Sequence, residues 1–148
     1  MAREAMIVIK FDDDNNNVFR CIEILCRDKW SIYNPQDKVE ILPIGDNGDY
    51  DWEEMSISWD EALEILRIKC ESNEMVGLNL FSSKGIQGIT LLSNHYKEIT
   101  FSIDINRKSI CDHRDSLTDF SWYFDNIILE LSKEDNMLFA YRFVDFYD

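Results

Sequence analysis

Glycine and proline are scarce in this 148-residue chain, which contains five glycines and two prolines. Linkers between domains are usually rich in one or the other, so the sequence predicts a single domain over residues 1–148. Long apolar runs are also missing, since no segment approaches the roughly 20 residues that a membrane-spanning helix needs. The apolar run Ala5–Ile9 is too short for the core of a signal peptide. Together these features predict a cytoplasmic protein that does not contact a membrane.

Close pairs of cysteine and histidine, which usually announce a zinc site, are nearly absent. Cys21 and Cys26 lie five residues apart on a predicted helix, where their side chains do not converge. Cys111 and His113 are close together, but no second pair lies near them. In the predicted compartment the four cysteines are expected to be reduced thiols. The sequence therefore predicts no metal site of this kind and no cofactor.

Basic residues are few, since 15 Lys and Arg stand against 29 Asp and Glu and give a net charge of −14. Phosphate backbones and anionic membranes would be repelled by such a chain, which excludes nucleic acid and membrane as expected partners. Asp51, Glu53, Glu54 and Asp60 could gather Mg²⁺, but a nuclease would also need a basic surface for its substrate. The charge instead favours rapid association with a basic protein.

The charge is concentrated in the segment Val39–Leu66, which contains no Lys or Arg and nine acidic residues. Tyr50, Trp52 and Trp59 lie among these acids, and aromatic anchors surrounded by charge are typical of specific interfaces. A solvated acidic face is the alternative interpretation. The segment is interpreted as a flexible loop (Asp46–Asp51) followed by a helix. The predicted partner-binding residues are Asp46, Asp49, Tyr50, Asp51, Trp52, Glu53, Glu54, Asp60 and Glu64.

Hydrophobic periodicity predicts the order β-α-β-β-α-β-β-β-α-β, which has no strict alternation of strands and helices. That order indicates an α+β fold, with a mainly antiparallel sheet and about three helices packed on it. Apolar residues at helical spacing predict helices over 18–26, from Ser58 onwards and over 116–131. The predicted strands are Ala5–Phe11, Lys38–Ile44, Trp52–Ile57, Met75–Phe81, Ile86–Ser93, Glu98–Ile105 and Leu138–Tyr147.

Three local sequence patterns add detail to this predicted fold. Ser58 and Glu61 form the pattern of a capping box at the start of the second helix. Pro43 interrupts the second strand, which predicts an edge position for that strand because proline cannot donate to a ladder. Leu117 belongs to the predicted buried stripe of the third helix.

Two short sequence patterns suggest a calcium site and a general base, but neither function is the preferred interpretation. Asp12 to Glu23 resembles a calcium loop, with oxygens at positions one, three, five and twelve. Arg20, however, would point a cation at the metal, so a solvated turn that caps the first helix is preferred and calcium binding stays an alternative. His95 in a predicted turn and the loop Asp112–Asp115 with His113 could supply a general base. Segments of this composition are more often surface loops than catalytic sites, so no catalytic residue is predicted.

Small size, the acidic charge and the segment Val39–Leu66 resemble the immunity proteins of bacterial toxin systems, including contact-dependent growth inhibition. The resemblance implies a non-enzymatic α+β protein of the bacterial cytoplasm. Such a protein would bind a cognate, basic and nuclease-like toxin domain and occlude its active site or substrate groove. It implies no role for any single residue. An acidic mimic of nucleic acid that inhibits a host or phage enzyme is the main alternative.

Overall fold

The computed structural model describes residues 3–12, 17–95, 97–111, 116–134 and 138–147. Within them, eight strands form one sheet in which every pairing is antiparallel. The predicted α+β fold with a mainly antiparallel sheet is therefore confirmed. The strands are β1 (Arg3–Phe11), β2 (Trp30–Ser31), β3 (Val39–Ile41), β4 (Glu53–Met55), β5 (Val76–Ser82), β6 (Gly88–His95), β7 (Glu98–Ile105) and β8 (Leu138–Tyr147).

The strand order is β4-β3-β5-β6-β7-β1-β8, with β2 also paired to β5. The predicted meander of β5, β6 and β7 is confirmed, because these strands are neighbours in the sheet as well as in sequence. The first strand of the chain lies between β7 and β8, where Ile7 pairs with Phe101 on one side and with Phe143 on the other. The central strands thus join distant parts of the sequence.

Three helical segments pack on this sheet. They are α1 (Asn17–Leu25), α2 (Trp59–Glu71) and a continuous segment over 120–132. The predicted capping box of α2 is confirmed: the Ser58 hydroxyl accepts from Glu61 N at 3.1 Å, and the Glu61 carboxylate accepts from Ser58 N at 3.2 Å. These two bonds satisfy backbone donors that a helix start otherwise leaves unpaired.

The third helical segment differs from its prediction. It consists of α3 (Phe120–Tyr123), a π-helical turn (Phe124–Ile128) and α4 (Leu129–Ser132), and it begins after Asp119, whose side chain caps Trp122 N. The predicted start at Ser116 was wrong, and Leu117 is 55% exposed instead of buried. Thr118 forms a bridge with Ser109, which holds this part of the chain extended.

Strand predictions near the acidic segment also need correction. The second predicted strand ends at Ile41, before Pro43, and β3 lies between β4 and β5 instead of at an edge. Since Pro43 lies outside the ladder, it imposes no edge position. The two-residue β2 was not predicted, and β6 continues through His95, where a turn was expected.

The hydrophobic core lies between the helices and one face of the sheet. Alternate residues of each strand point to that face, as Ile7 and Ile9 of β1 do, and both are fully buried. Leu66 of α2 and Leu131 of α4 belong to the same cluster. Both β3 and α2, which lie at the two ends of the acidic segment, therefore contribute side chains to the core.

Candidate interaction surface

The loop between β3 and β4 reverses the chain with residues in left-handed backbone conformations. Gly45 and Gly48 have φ values of 96° and 104°, and Tyr50 has a φ of 59°. Glycine adopts such conformations without steric cost. The loop is accordingly a compact turn, and its shape determines which of the predicted acidic side chains face outward.

Asp46 lies at the centre of this loop and is only 5% exposed. Its carboxylate accepts hydrogen bonds from three backbone N–H groups, those of Asp49 at 3.0 Å, Tyr50 at 3.2 Å and Asp51 at 2.7 Å. Burial works against ionisation of this group, but the N–H donors outweigh it and hold the pKa of Asp46 below its ordinary value. Asp46 therefore organises the loop from within and does not contribute to the exposed surface.

Lys69 of α2 lies directly beneath the loop and is fully buried. Its ammonium group donates to the carbonyl oxygens of Pro43 at 2.6 Å and Asp46 at 2.7 Å, and it lies 3.4 Å from Glu74 Oε1. Gly45 N donates to the same Glu74 oxygen at 2.7 Å. Residues 46–51 form the predicted loop, and a buried cation ties it to the helix.

Asp46 should give the protein a measurable dependence of stability on acid. Because its pKa is lowered by folding, the unfolded chain takes up the proton first as pH falls. The stabilisation is complete above the ordinary pKa of 3.8 and is lost as pH drops from there through the lower folded value. We expect the difference in unfolding free energy between wild type and Asp46→Asn, measured in urea, to be largest at neutral pH and to shrink below about pH 4.

Asp49→Asn is the matched control for that measurement, because it makes the same change on an exposed side chain of the same loop. Its difference from wild type should stay small across the pH range. An Asp46→Asn difference that is constant from neutral pH to acid would contradict the role of the Asp46 carboxylate in the loop.

The loop presents Asp49, Tyr50 and Asp51 to solvent, and the Tyr50 side chain is 51% exposed. Trp52, in contrast, is half-buried beside Gly77. A Cβ atom on that glycine would lie 2.5 Å from Leu42 Cδ1 and 3.0 Å from Trp52 Cη2. The missing side chain at Gly77 thus makes room first for Leu42 and then for Trp52, which lies close to β5 at the end of the loop.

Glu53 and Glu54 follow on β4, the edge strand of the sheet, and both are exposed. Lys38 Nζ lies 3.9 Å from Glu54 Oε1, so the charge of Glu54 is partly compensated. Glu40, on the neighbouring β3, accepts from Asn34 Nδ2 at 2.8 Å and from Asn79 Nδ2 at 3.0 Å. Its charge is therefore used within the structure.

On α2 the predicted residues Asp60 and Glu64 are both exposed but differ in charge environment. Arg67 Nε donates to Glu64 Oε2 at 2.9 Å, and Arg67 NH1 contacts Glu71 Oε1. The hydrogen bonds from Arg67 hold the pKa of Glu64 below its ordinary value. Asp60 lies in the first helical turn, where a negative charge is favourable, and it has no cation beside it among the described residues.

We call the remaining exposed set the acidic surface. It comprises Asp49, Tyr50 and Asp51 of the loop, Glu53 of β4 and Asp60 in the first turn of α2. Within the described part of the chain, none of its four carboxylates lies within ion-pair distance of a Lys or Arg. Of the predicted partner-binding residues, the structure thus leaves these five exposed and without compensation.

The described residues give little support to a metal site or a catalytic site. There, no group of three or more His, Cys, Asp or Glu side chains could hold a metal ion. Asp12 and Glu23 are exposed, and the other predicted calcium ligands, Asp14 and Asn16, lie outside the described residues, as does His113. Burial raises the pKa of Cys26 to about 12, so this thiol stays protonated and is a poor nucleophile or metal ligand.

Sequence reasoning did not identify Lys69 as part of the site. A signal for it existed, because Lys69 lies three residues after Leu66 and seven after Ala62. These spacings place all three on one helical face, and all three are buried. A lysine on the apolar stripe of a capped helix therefore indicates a buried cation that needs acceptors nearby.

Comparison with protein families, curated proteins and solved structures finds no match for this chain. No helix among the described residues is long and apolar enough to cross a membrane. The function must therefore be inferred from the chain's own surface.

Proposed function

We propose that this protein is a cytoplasmic immunity protein, which binds a cognate, basic, nuclease-like toxin domain and blocks its active site or substrate groove. The observation that carries the proposal is the acidic surface: an exposed tyrosine and four exposed carboxylates that, within the described residues, have no Lys or Arg at ion-pair distance. In this proposal the protein acts by binding alone and performs no reaction.

The uncompensated charge supports a basic partner on energetic grounds. Like charges that are held close together repel one another, and a folded chain gains nothing from that repulsion. A basic surface placed against Asp49, Asp51, Glu53 and Asp60 would relieve it. The same field would also steer the two proteins together, which can raise association rates by about 10- to 1,000-fold at low salt.

The fixed loop supports specific recognition. Asp46 and Lys69 hold the backbone of residues 45–51 before any partner arrives. Because the loop is already ordered, little conformational entropy is lost on binding, and more of the interaction energy appears as affinity. Tyr50 offers a large side chain with few rotatable bonds, a type of residue that is enriched among interface hot spots.

The proposal is tested by co-expression and pull-down with the product of the gene immediately upstream, followed by association kinetics at several salt concentrations. The triple variant Asp49→Asn/Asp51→Asn/Glu53→Gln should slow association and weaken affinity by about 10- to 100-fold at low salt. It should also make the salt dependence shallower, because fewer charges attract the partner.

The matched control is Glu4→Gln/Glu23→Gln/Asp125→Asn, which removes the same total charge from exposed positions elsewhere. This variant should bind with nearly wild-type kinetics. Equal losses in the two triple variants would show that only net charge matters and would contradict a defined surface. Failure to bind any basic protein at low and moderate salt would contradict the proposal itself.

A further inference from the structure

A second charged site lies at the opposite end of β5 from the acidic loop. Asn47 Oδ1 accepts from Met75 N, just before β5 begins, whereas Ser82 ends the strand and lines a cavity of about 310 Å³. Seven strand residues span roughly 20 Å. Three lysines from distant parts of the sequence, Lys29, Lys84 and Lys108, line this cavity.

Hydrogen bonds hold the main chain at all three lysines. Ser83 N donates to the Lys29 carbonyl oxygen at 2.9 Å, which ties the residue before β2 to the end of β5. Lys84 N lies 3.4 Å from Ser82 Oγ in the turn that follows β5.

Lys108, which follows β7, is held from two directions. Lys108 N donates to Tyr123 Oη at 2.9 Å, and Asp119 N donates to the Lys108 carbonyl oxygen at 2.9 Å. Tyr123 is fully buried, so its hydroxyl is a rigid acceptor. The fold therefore places the main chain of the three lysines around one cavity.

The charge around this cavity is unusual for a chain with a net charge of −14. None of the described residues that line the cavity is acidic. Elsewhere in the described residues, cations such as Arg27, Arg67 and Lys133 have carboxylate partners. No such ion pair forms at Lys29, Lys84 or Lys108 within the described ranges. Three positive charges around one cavity repel one another, and a bound anion would offset that repulsion.

We infer that this cavity binds a small anion that carries a phosphate group. Lysine ammonium groups are strong donors to phosphate oxygens. Ser82 and Gln87, which also line the cavity, carry neutral side-chain donors. The volume lies at the lower end of the range for small-molecule sites, which fits a compact anion and not a large ligand.

The overall charge selects a small anion over a nucleic acid. At physiological salt, electrostatic interactions are screened beyond about 8 Å. A small ligand inside the cavity therefore interacts mainly with the charges of the three lysines. A polyanion would extend past the cavity and meet the rest of a strongly acidic molecule. The proposed site is separate from the acidic surface and can be tested on the protein alone.

The test is a titration with inorganic phosphate and pyrophosphate at constant ionic strength, followed by calorimetry and tryptophan fluorescence. Trp122 lines the cavity and reports directly on its occupancy. We expect saturable binding, tighter for pyrophosphate because it carries more charge. Lys84→Gln and Lys108→Gln should each weaken it about tenfold, since a charge-assisted hydrogen bond contributes roughly that factor.

Lys10→Gln is the matched control, because it removes one positive charge from an exposed position on β1. It should leave the affinity unchanged. Thermal unfolding would detect a failure of Lys108→Gln to fold. Lys84 is exposed in a turn, so Lys84→Gln should fold normally and keeps the test valid in that case. The absence of saturable binding, or an equal loss in Lys10→Gln, would overturn the inference. Tighter binding of sulfate than of phosphate, or Lys84-dependent binding to phosphatidylglycerol vesicles in place of free phosphate, would overturn it as well.

Discussion

Replacing Lys69 with methionine is expected to lower the free energy of unfolding by about 3–5 kcal/mol, because buried acceptors lose a charged donor. The ammonium group is completely removed from solvent and holds the carbonyl oxygens of Pro43 and Asp46. Methionine fills a similar volume, so the loss reports mainly on these hydrogen bonds. For a domain of this size, the melting temperature should fall by roughly 6–20 °C.

Lys133→Met makes the same substitution on an exposed side chain directly after the third helical segment, where Lys133 pairs with Glu130. Its unfolding free energy should stay within about 0.5 kcal/mol of wild type. Urea unfolding measures both variants. Hydrogen exchange adds a local readout: the amide of Asp51, which donates to Asp46 Oδ2, should lose protection in Lys69→Met only. A Lys69→Met protein with wild-type stability and a protected loop would contradict the buried tether.

Truncation of Trp30 to alanine is the second change with a large expected effect, a loss of about 3–5 kcal/mol. Trp30 is 2% exposed, and its ring meets Trp122 edge to face at a centroid distance of 5.9 Å. Trp30 Nε1 also donates to the Asn126 carbonyl oxygen, within the π-helical turn, at 2.9 Å. The variant therefore creates a cavity and removes a hydrogen bond between the sheet and the third helical segment.

Trp30→Phe separates these two contributions. It keeps most of the ring but removes the donor to Asn126, and we expect a smaller loss of about 1–3 kcal/mol. Trp59→Phe is the control, because Trp59 is half-buried on α2 and its indole makes no hydrogen bond in the described structure. Urea unfolding compares them. Equal losses for the two phenylalanine variants would contradict a specific role for the Trp30 hydrogen bond.

The parts of the fold that the sequence predicted well depend on neighbours in sequence. The capping box at Ser58 needs only Glu61, and the alternating residues of β7 need only a period of two. Features set by distant contacts were missed. The two-residue β2 exists because Ser31 pairs with Phe81, and Leu117 is exposed because Thr118 joins Ser109. Neither partner can be chosen from local pattern.

The same distinction applies to the acidic surface. The excess of charge in residues 39–66 is visible in the sequence, and Asp49, Asp51, Glu53 and Asp60 are exposed as expected. The removal of Asp46 from that set depends on its own loop closing over Lys69, which is 23 residues away. Trp52 is half-buried because it lies close to Gly77, which has no side chain to displace it. The number of acidic residues identifies the segment in the sequence. Packing in the folded chain determines which of its side chains are exposed.

The buried tether also bears on how recognition could change over time. The shape of the loop is held by Asp46, Asn47, Lys69 and Glu74, whereas the side chains of Asp49 and Asp51 point outward and hold nothing in place. Residues that maintain the loop are thus different from residues that would read a partner. Exposed positions can be exchanged one at a time while the backbone stays as it is, so new binding specificities are reachable without passing through an unfolded intermediate.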